Sequence, residues 1–188
     1  SAPPATITRT LTSTGTPTLT ATPAGYGEIQ LENACVINGV QESTNVGYTG
    51  SGYANTDNVI GTTVQFSLLS SGNQTVTLTF RFANGSVNAR NMSLSVNGVQ
   101  QVASVAFPST GDYTTWQTVN ASVNLANGYN TLTLTSLTAE GGPNLDGVSW
   151  ASAWVTNGNC TRPALTVTPT GTATRTATPS STSTPVPP

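Results

Sequence analysis

The chain has no histidine and no lysine, and only 6% of its 188 residues are charged. Without histidine, both the commonest general base and the commonest metal-binding imidazole are missing. That leaves few routes to acid–base catalysis at neutral pH and argues against zinc. Five arginines and a formal net charge of -2 make no concentrated basic surface, so nucleic acid is not an expected partner. Apolar runs are also short: none approaches the ~20 residues of a bilayer span, and no basic amphipathic helix is present, so no membrane contact is expected.

What the chain does have is two tracts of Thr, Pro, Ser and Ala, residues 1–24 and 163–188, around a stretch of different composition. Such tracts bury too little apolar surface to offset chain entropy, and their prolines keep the backbone extended, so they read as semi-rigid spacers. Thr/Ser/Pro tracts are also a common form of O-glycosylated stalk outside cells. Residues 25–162, about 138 in number, are enough for one domain with a real core. The layout is that of a secreted, monomeric binding unit tethered to other modules. The chain opens at Ser-Ala-Pro-Pro with no charged or apolar leader, as expected of a processed or excised segment. Two cysteines, Cys35 and Cys160, lie near the ends of the central region. Bridged, they would close a loop of about 125 residues, worth ~4–5 kcal/mol in the chain-entropy model; two separate buried thiols are the alternative.

The central region reads as all β. Val64, Phe66 and Leu68 alternate with polar residues, as do Val76, Leu78, Phe80 and Phe82, then Met92, Leu94 and Val96, then Val119, Ala121, Val123 and Leu125. Leu132 with Leu134, and Val148 with Trp150, continue the pattern. No helical period lasts beyond a turn or two, so the expected fold is a β-sandwich (jelly roll) of two antiparallel sheets.

Connections are of two kinds. Tight ones fall at Ser70-Ser71-Gly72-Asn73, Asn97-Gly98 and Ala126-Asn127-Gly128, and long ones at about 39–61, 84–90, 106–116 and 138–144. If every connection reverses strand direction, the long ones collect at one end, where loops on a rigid scaffold commonly bind ligands. Four residues there are candidates. Trp116 has the opposite parity to core positions 119–125, so it should face away from the core and offer an indole to the apolar face of a pyranose; a Trp capping the core edge is the alternative. Tyr53 is a second possible aromatic surface. Asn144 carries an amide that can donate to and accept from hydroxyls, although an Asn after Pro143 also reads as a turn residue. Arg90 can pair with a carboxylate in a bidentate manner, against the plainer reading of a solvated arginine at a strand start.

A second group comprises Gln30, Glu32 and Asp146. Gln30 and Glu32 are two apart on an expected first strand and so share a face, while Asp146 begins an expected last strand. If the terminal strands meet, their oxygens suit Ca²⁺, which takes six to eight oxygen ligands. Solvated surface side chains are the alternative.

Several segments together resemble the family 35 carbohydrate-binding modules. These are Ile29-Gln30-Leu31-Glu32-Asn33-Ala34, Gly50-Ser51-Gly52-Tyr53, FANGSVNARNMSLSVNG at 82–98, Thr115-Trp116, LANGYNTLTL at 125–134 and GPNLD at 142–146. The family 6 modules share much of this framework. The resemblance implies a β-sandwich with a structural calcium at Gln30, Glu32 and Asp146, and a sugar site in which the family's Trp and Asn fall on Trp116 and Asn144. It also implies attachment to plant cell-wall enzymes, ligands among uronic acids, mannans and galactose-containing glycans, and in some members a second calcium at the ligand. Gly147 and residues 53–57 depart from the family pattern, and those departures bear on the ligand rather than the fold. Three functions are therefore in view: a non-catalytic module holding an enzyme on polysaccharide, a small glycosidase or lyase, and a structural or adhesin spacer. Glycoside cleavage usually needs two carboxylates across a bond, and only seven acidic residues are available, two of them expected at the calcium.

Overall fold

Successive side chains of an extended backbone point to opposite faces, so period-two alternation produces strands that are apolar on one face only. In the computed structural model, which describes residues 27–160, those faces meet in a single core. Val64, Phe66 and Leu68 of β5 (Thr63–Ser70) and Val76, Leu78, Phe80 and Phe82 of β6 (Gln74–Ala83) all point into it. So do the alternating apolar residues of β7 (Met92–Val96), β9 (Gln117–Leu125), β10 (Gly128–Ser136) and β11 (Asn144–Trp150). Burying a side chain of this size stabilises by ~1.5–3 kcal/mol, so the pattern itself drives the two layers together.

The remaining elements are β1 (Gly27–Gln30), a 3-10 turn (Leu31–Asn33), β2 (Val36–Ile37), β3 (Gly39–Glu42), β4 (Tyr53–Thr56), β8 (Val99–Val105) and β12 (Val155–Asn157). One sheet runs β3-β4-β11-β6-β9, with β1 also on β11; the other runs β12-β5-β10-β7-β8, with β2 also on β5. Every pairing is antiparallel. The β-sandwich of the sequence reading is the fold observed. The expected spacers, residues 1–24 and 163–188, lie outside the described residues.

Cys35 and Cys160 form a disulfide with Cα atoms 5.1 Å apart across 125 residues of chain. It joins the residue before β2 to the turn after β12, two strands that pair with different stretches of β5.

Tight turns at 71–73, 97–98 and 126–127 fall at one end of the sandwich, and the connections 57–62, 84–91, 106–116 and 137–143 at the other. Three details differ from expectation. The stretch 39–61 is not one long loop: it holds the β3–β4 hairpin, and the connection between them, 43–52, folds back over the outer face of the first sheet. Leu31–Asn33 turn in a 3-10 helix, so Glu32 is not on the strand that carries Gln30. Asp146 is the third residue of β11 rather than its start, and β12 follows.

Candidate functional site

Asn144 opens β11 opposite Ala83 of β6, at the long-loop end, and is 2% exposed. Its side-chain amide makes no hydrogen bond among the described residues and lines a polar pocket of about 160 Å³ with Asn45, Asn55, Asn58, Arg90 and Tyr113. Arg90, at 9% exposure, is not the solvated side chain of the plainer reading. Its Nε donates to Ser86 Oγ at 2.7 Å, and its Nη1 to the Gly142 carbonyl at 3.1 Å and to Asn58 Oδ1 at 3.3 Å. That leaves Nη2 without a partner among the described residues. Tyr113 lies with its ring 5.9 Å from the guanidinium and packs over Gly85. The turn that carries Tyr113 is fixed by Asp112, which accepts from the Thr114 N–H at 2.6 Å and the Thr114 hydroxyl at 2.8 Å. Those bonds, the backbone one first, hold the Asp112 carboxyl below its ordinary range.

Trp116 faces away from the core, as its parity predicts, yet it is half-buried because loop 43–52 lies against it. Its Nε1 donates to the Val46 carbonyl at 3.0 Å, and the Arg81 guanidinium sits 5.2 Å from the ring centre. Gly47, at φ +97, passes so close that a Cβ there would stand 3.0 Å from the indole. Trp116 does not line the polar pocket; it stands beside it. Tyr53 is not a surface aromatic. It is fully buried under the same loop, 5.4 Å from the Trp116 ring, and its hydroxyl donates to Glu42 at 3.1 Å and accepts from the Asn45 side chain at 2.8 Å. Tyr53 therefore holds Asn45 in place from behind the pocket wall.

The second group also converges. Gln30 of β1 pairs with Gly147 of β11, and a bulge between Leu145 and Gly147 turns Asp146 to the outer face. Thr49 joins the two, its hydroxyl within 2.9 Å of both Gln30 Oε1 and Asp146 Oδ2, while its N–H donates to Asp146 Oδ1 at 2.8 Å. Glu32, 5% exposed, accepts from Ser51 N–H and Oγ through Oε1, but its Oε2 is buried with no hydrogen-bond partner. Between Thr49 and Ser51 lies Gly50, at φ +66, where a Cβ would collide with the Glu32 and Gln30 side-chain oxygens. Among the described residues no three His, Cys, Asp or Glu side chains cluster, so the third side-chain donor is the Gln30 amide. An all-oxygen set with one orphaned carboxylate oxygen and a bare backbone beside it fits calcium. Arg81 already pairs with Asp146, however, so the negative charge there is met by the protein, and Glu32 Oε2 is the carboxylate oxygen left without a partner among the described residues.

The structure thus brings Asn144 and Arg90 into one pocket and gathers Gln30, Glu32 and Asp146 around Thr49–Ser51. Sequence reasoning missed Tyr113, Asn45, Asn55, Asn58 and Arg81. Tyr113 sits in the same loop as Trp116 and was legible as a loop aromatic. The asparagines carried no such signal in a chain rich in them.

Residues 30–152 match the model of the carbohydrate binding module (family 6). The chain is 38% identical over 142 residues to an exo-beta-D-glucosaminidase of Amycolatopsis orientalis, covering 73% of this chain and 14% of that protein. It is 41% identical over 127 residues to endo-1,4-beta-xylanase B of Cellvibrio japonicus, covering 67% and 21% respectively. The chain therefore spans only a small part of these curated relatives. A solved structure, Xyl-CBM35 in complex with a glucuronic-acid-containing disaccharide, superposes with a TM-score of 0.67 at 39% identity over 71% of this chain and 99% of that one. With a family 6 match across most of the sandwich and a whole family 35 module aligned to it, the chain belongs to the carbohydrate-binding modules, non-catalytic units of the family 6 and family 35 group.

Proposed function

We propose that this module holds a tethered, secreted polysaccharide-degrading enzyme on plant cell-wall polysaccharide by gripping a uronic-acid-bearing chain at the long-loop end. The observation that carries the reading is Arg90: three hydrogen bonds fix its guanidinium, and one terminal nitrogen has no partner among the described residues, nor does the Asn144 amide beside it. A fixed guanidinium loses little entropy on meeting a carboxylate, and charge-assisted bonds are about twice as strong as neutral ones. Asn144 and its neighbouring asparagines serve the hydroxyls, and the exposed part of Trp116 offers a stacking surface at the rim. The related module in complex with a glucuronic-acid-containing disaccharide supports the same ligand class. Mannan and galactan are the neutral alternatives. The disulfide suits an oxidising compartment.

Calcium at Gln30, Glu32 and Asp146 completes the proposal. When bound it supplies the positive charge that Glu32 Oε2 lacks; Gln30 and Asp146, tied together by Thr49, orient their oxygens toward the same place.

Affinity electrophoresis in gels containing glucuronoxylan, or the same polymer after carboxyl reduction, tests the ligand class. Strong retardation on the native polymer and clearly weaker retardation on the reduced one is the expected result. Equal retardation on both would show that Arg90 does not meet a carboxylate and would favour a neutral glycan.

A further inference from the structure

At the opposite, tight-turn end, Trp154 is 69% exposed and Leu69 beside it 41%. Large apolar side chains on a mobile loop would say little, but this loop is pinned. The Trp154 carbonyl accepts from Ser71 N–H at 2.9 Å and from Ser71 Oγ at 3.1 Å. Ser152 donates to Gln74 at 2.8 Å, and the Trp150 indole donates to the Val155 carbonyl at 2.9 Å. The backbone on both sides of Trp154 is therefore fixed while its indole is left in solvent. Leu69 faces the same way, between Tyr129 and Thr156 in the strand register.

Trp154 and Leu69 border a hollow of about 340 Å³ whose other walls include Ser71, Asn127 and Thr156. The Asn127 backbone is held by Asn73 at 2.7 Å. Its side-chain amide, like the Thr156 hydroxyl, has no hydrogen-bond partner among the described residues. No charged side chain lines the hollow. Trp154 lies just beyond residues 30–152, the span that matches the family 6 model.

We propose that this hollow is a second carbohydrate-binding site that takes a neutral pyranose. A fixed indole with an aliphatic neighbour presents an apolar floor for the CH face of a sugar ring, and the idle amide and hydroxyl at the rim meet its hydroxyls. A purely apolar partner would leave those groups unpaired, and a charged ligand would find no counter-charge. Strands of nine residues separate this site from the Arg90 pocket by about 30 Å, so the two ends engage separate chains or distant parts of one. The proposal extends the glycan-binding reading but rests on different residues.

The test uses the full chain and four forms: unaltered, Trp154→Ala, Asn144→Ala and the double variant. Each is run in gels containing glucuronoxylan, neutral arabinoxylan, glucomannan or hydroxyethylcellulose, with thermal melts alongside. Trp154→Ala, a change at an exposed side chain, should keep its melt and lose about three- to tenfold in affinity for at least one neutral polymer. Asn144→Ala should retain that neutral binding, and the double variant should lose it. If Trp154→Ala binds all four polymers as the unaltered chain does, in both backgrounds, the second site is disproved. If Asn144→Ala costs no glucuronoxylan binding even in the Trp154→Ala background, the loop-end reading fails on its own.

Discussion

Asn144 and Arg90 share one pocket yet predict different behaviour on substitution. The Asn144 amide has no partner among the described residues, so Asn144→Ala should remove chiefly ligand contacts: binding should weaken by ~1 kcal/mol or more with the melting temperature nearly unchanged. Arg90 also ties Ser86, Asn58 and Gly142 together, so Arg90→Ala would confound stability with recognition. Arg90→Lys keeps the charge but not the fork, and should cost acidic-polymer binding at least tenfold while lowering the melt by less than the alanine variant does. Calorimetric titration with a glucuronic-acid-containing oligosaccharide, beside thermal melts of the three forms, checks both statements. An Asn144→Ala form that melts several degrees lower would make that residue structural. Trp116 lies between these cases: its indole packs on Tyr53 and Gly47, so truncation there should lower stability and binding together.

Among the elements, loop 43–52 matters most, because it supplies Thr49 and Ser51 to the oxygen cluster, Val46 and Gly47 to Trp116 and Arg81, and Asn45 to the pocket. Gly50→Ala should therefore destabilise the module, because the added Cβ meets both positive-φ strain and the Glu32 and Gln30 oxygens. Relative to a hundredfold excess of calcium over Kd, chelation should lower the stability of the unaltered module by ~2.7 kcal/mol, read as a lower melting temperature, and that of Gly50→Ala by less. Equal melts with and without chelator, and no metal by elemental analysis, would remove calcium from the proposal. The same loop marks the limit of what the sequence disclosed. Period-two alternation located β5, β6, β7, β9, β10 and β11, since each buries one face and the pattern needs no knowledge of partners. It also set Trp116 outside the core. It did not find β3 and β4, whose four-residue strands are too short to show a period, nor the burial of Tyr53, which depends on a loop folding back across the sheet. The pairing of Arg81 with Asp146, 65 residues apart, is likewise created by strand neighbours rather than by any local pattern.

For the molecule as a whole, the disulfide is the long-range covalent tie. Cys35→Ser with Cys160→Ser should cost ~4–5 kcal/mol by the loop-entropy model, readable as a lower denaturation midpoint in urea, while polysaccharide binding of the folded variant is retained. A midpoint unchanged by the substitutions would mean the packed sheets hold the ends unaided. The bridge also decides how the module bears a mechanical load. A pull applied along the chain through both flanking tracts runs from Cys35 straight to Cys160 across the sulfur bond, and residues 36–159 are bypassed. Among the described residues only β1 and the turn after it stand in the line of force, so tension peels Gln30 from β11 and draws Glu32 from Ser51 before it can reach Arg90 or Asn144. Tension between the two flanking tracts would thus loosen the oxygen cluster first and leave the Arg90 pocket unloaded.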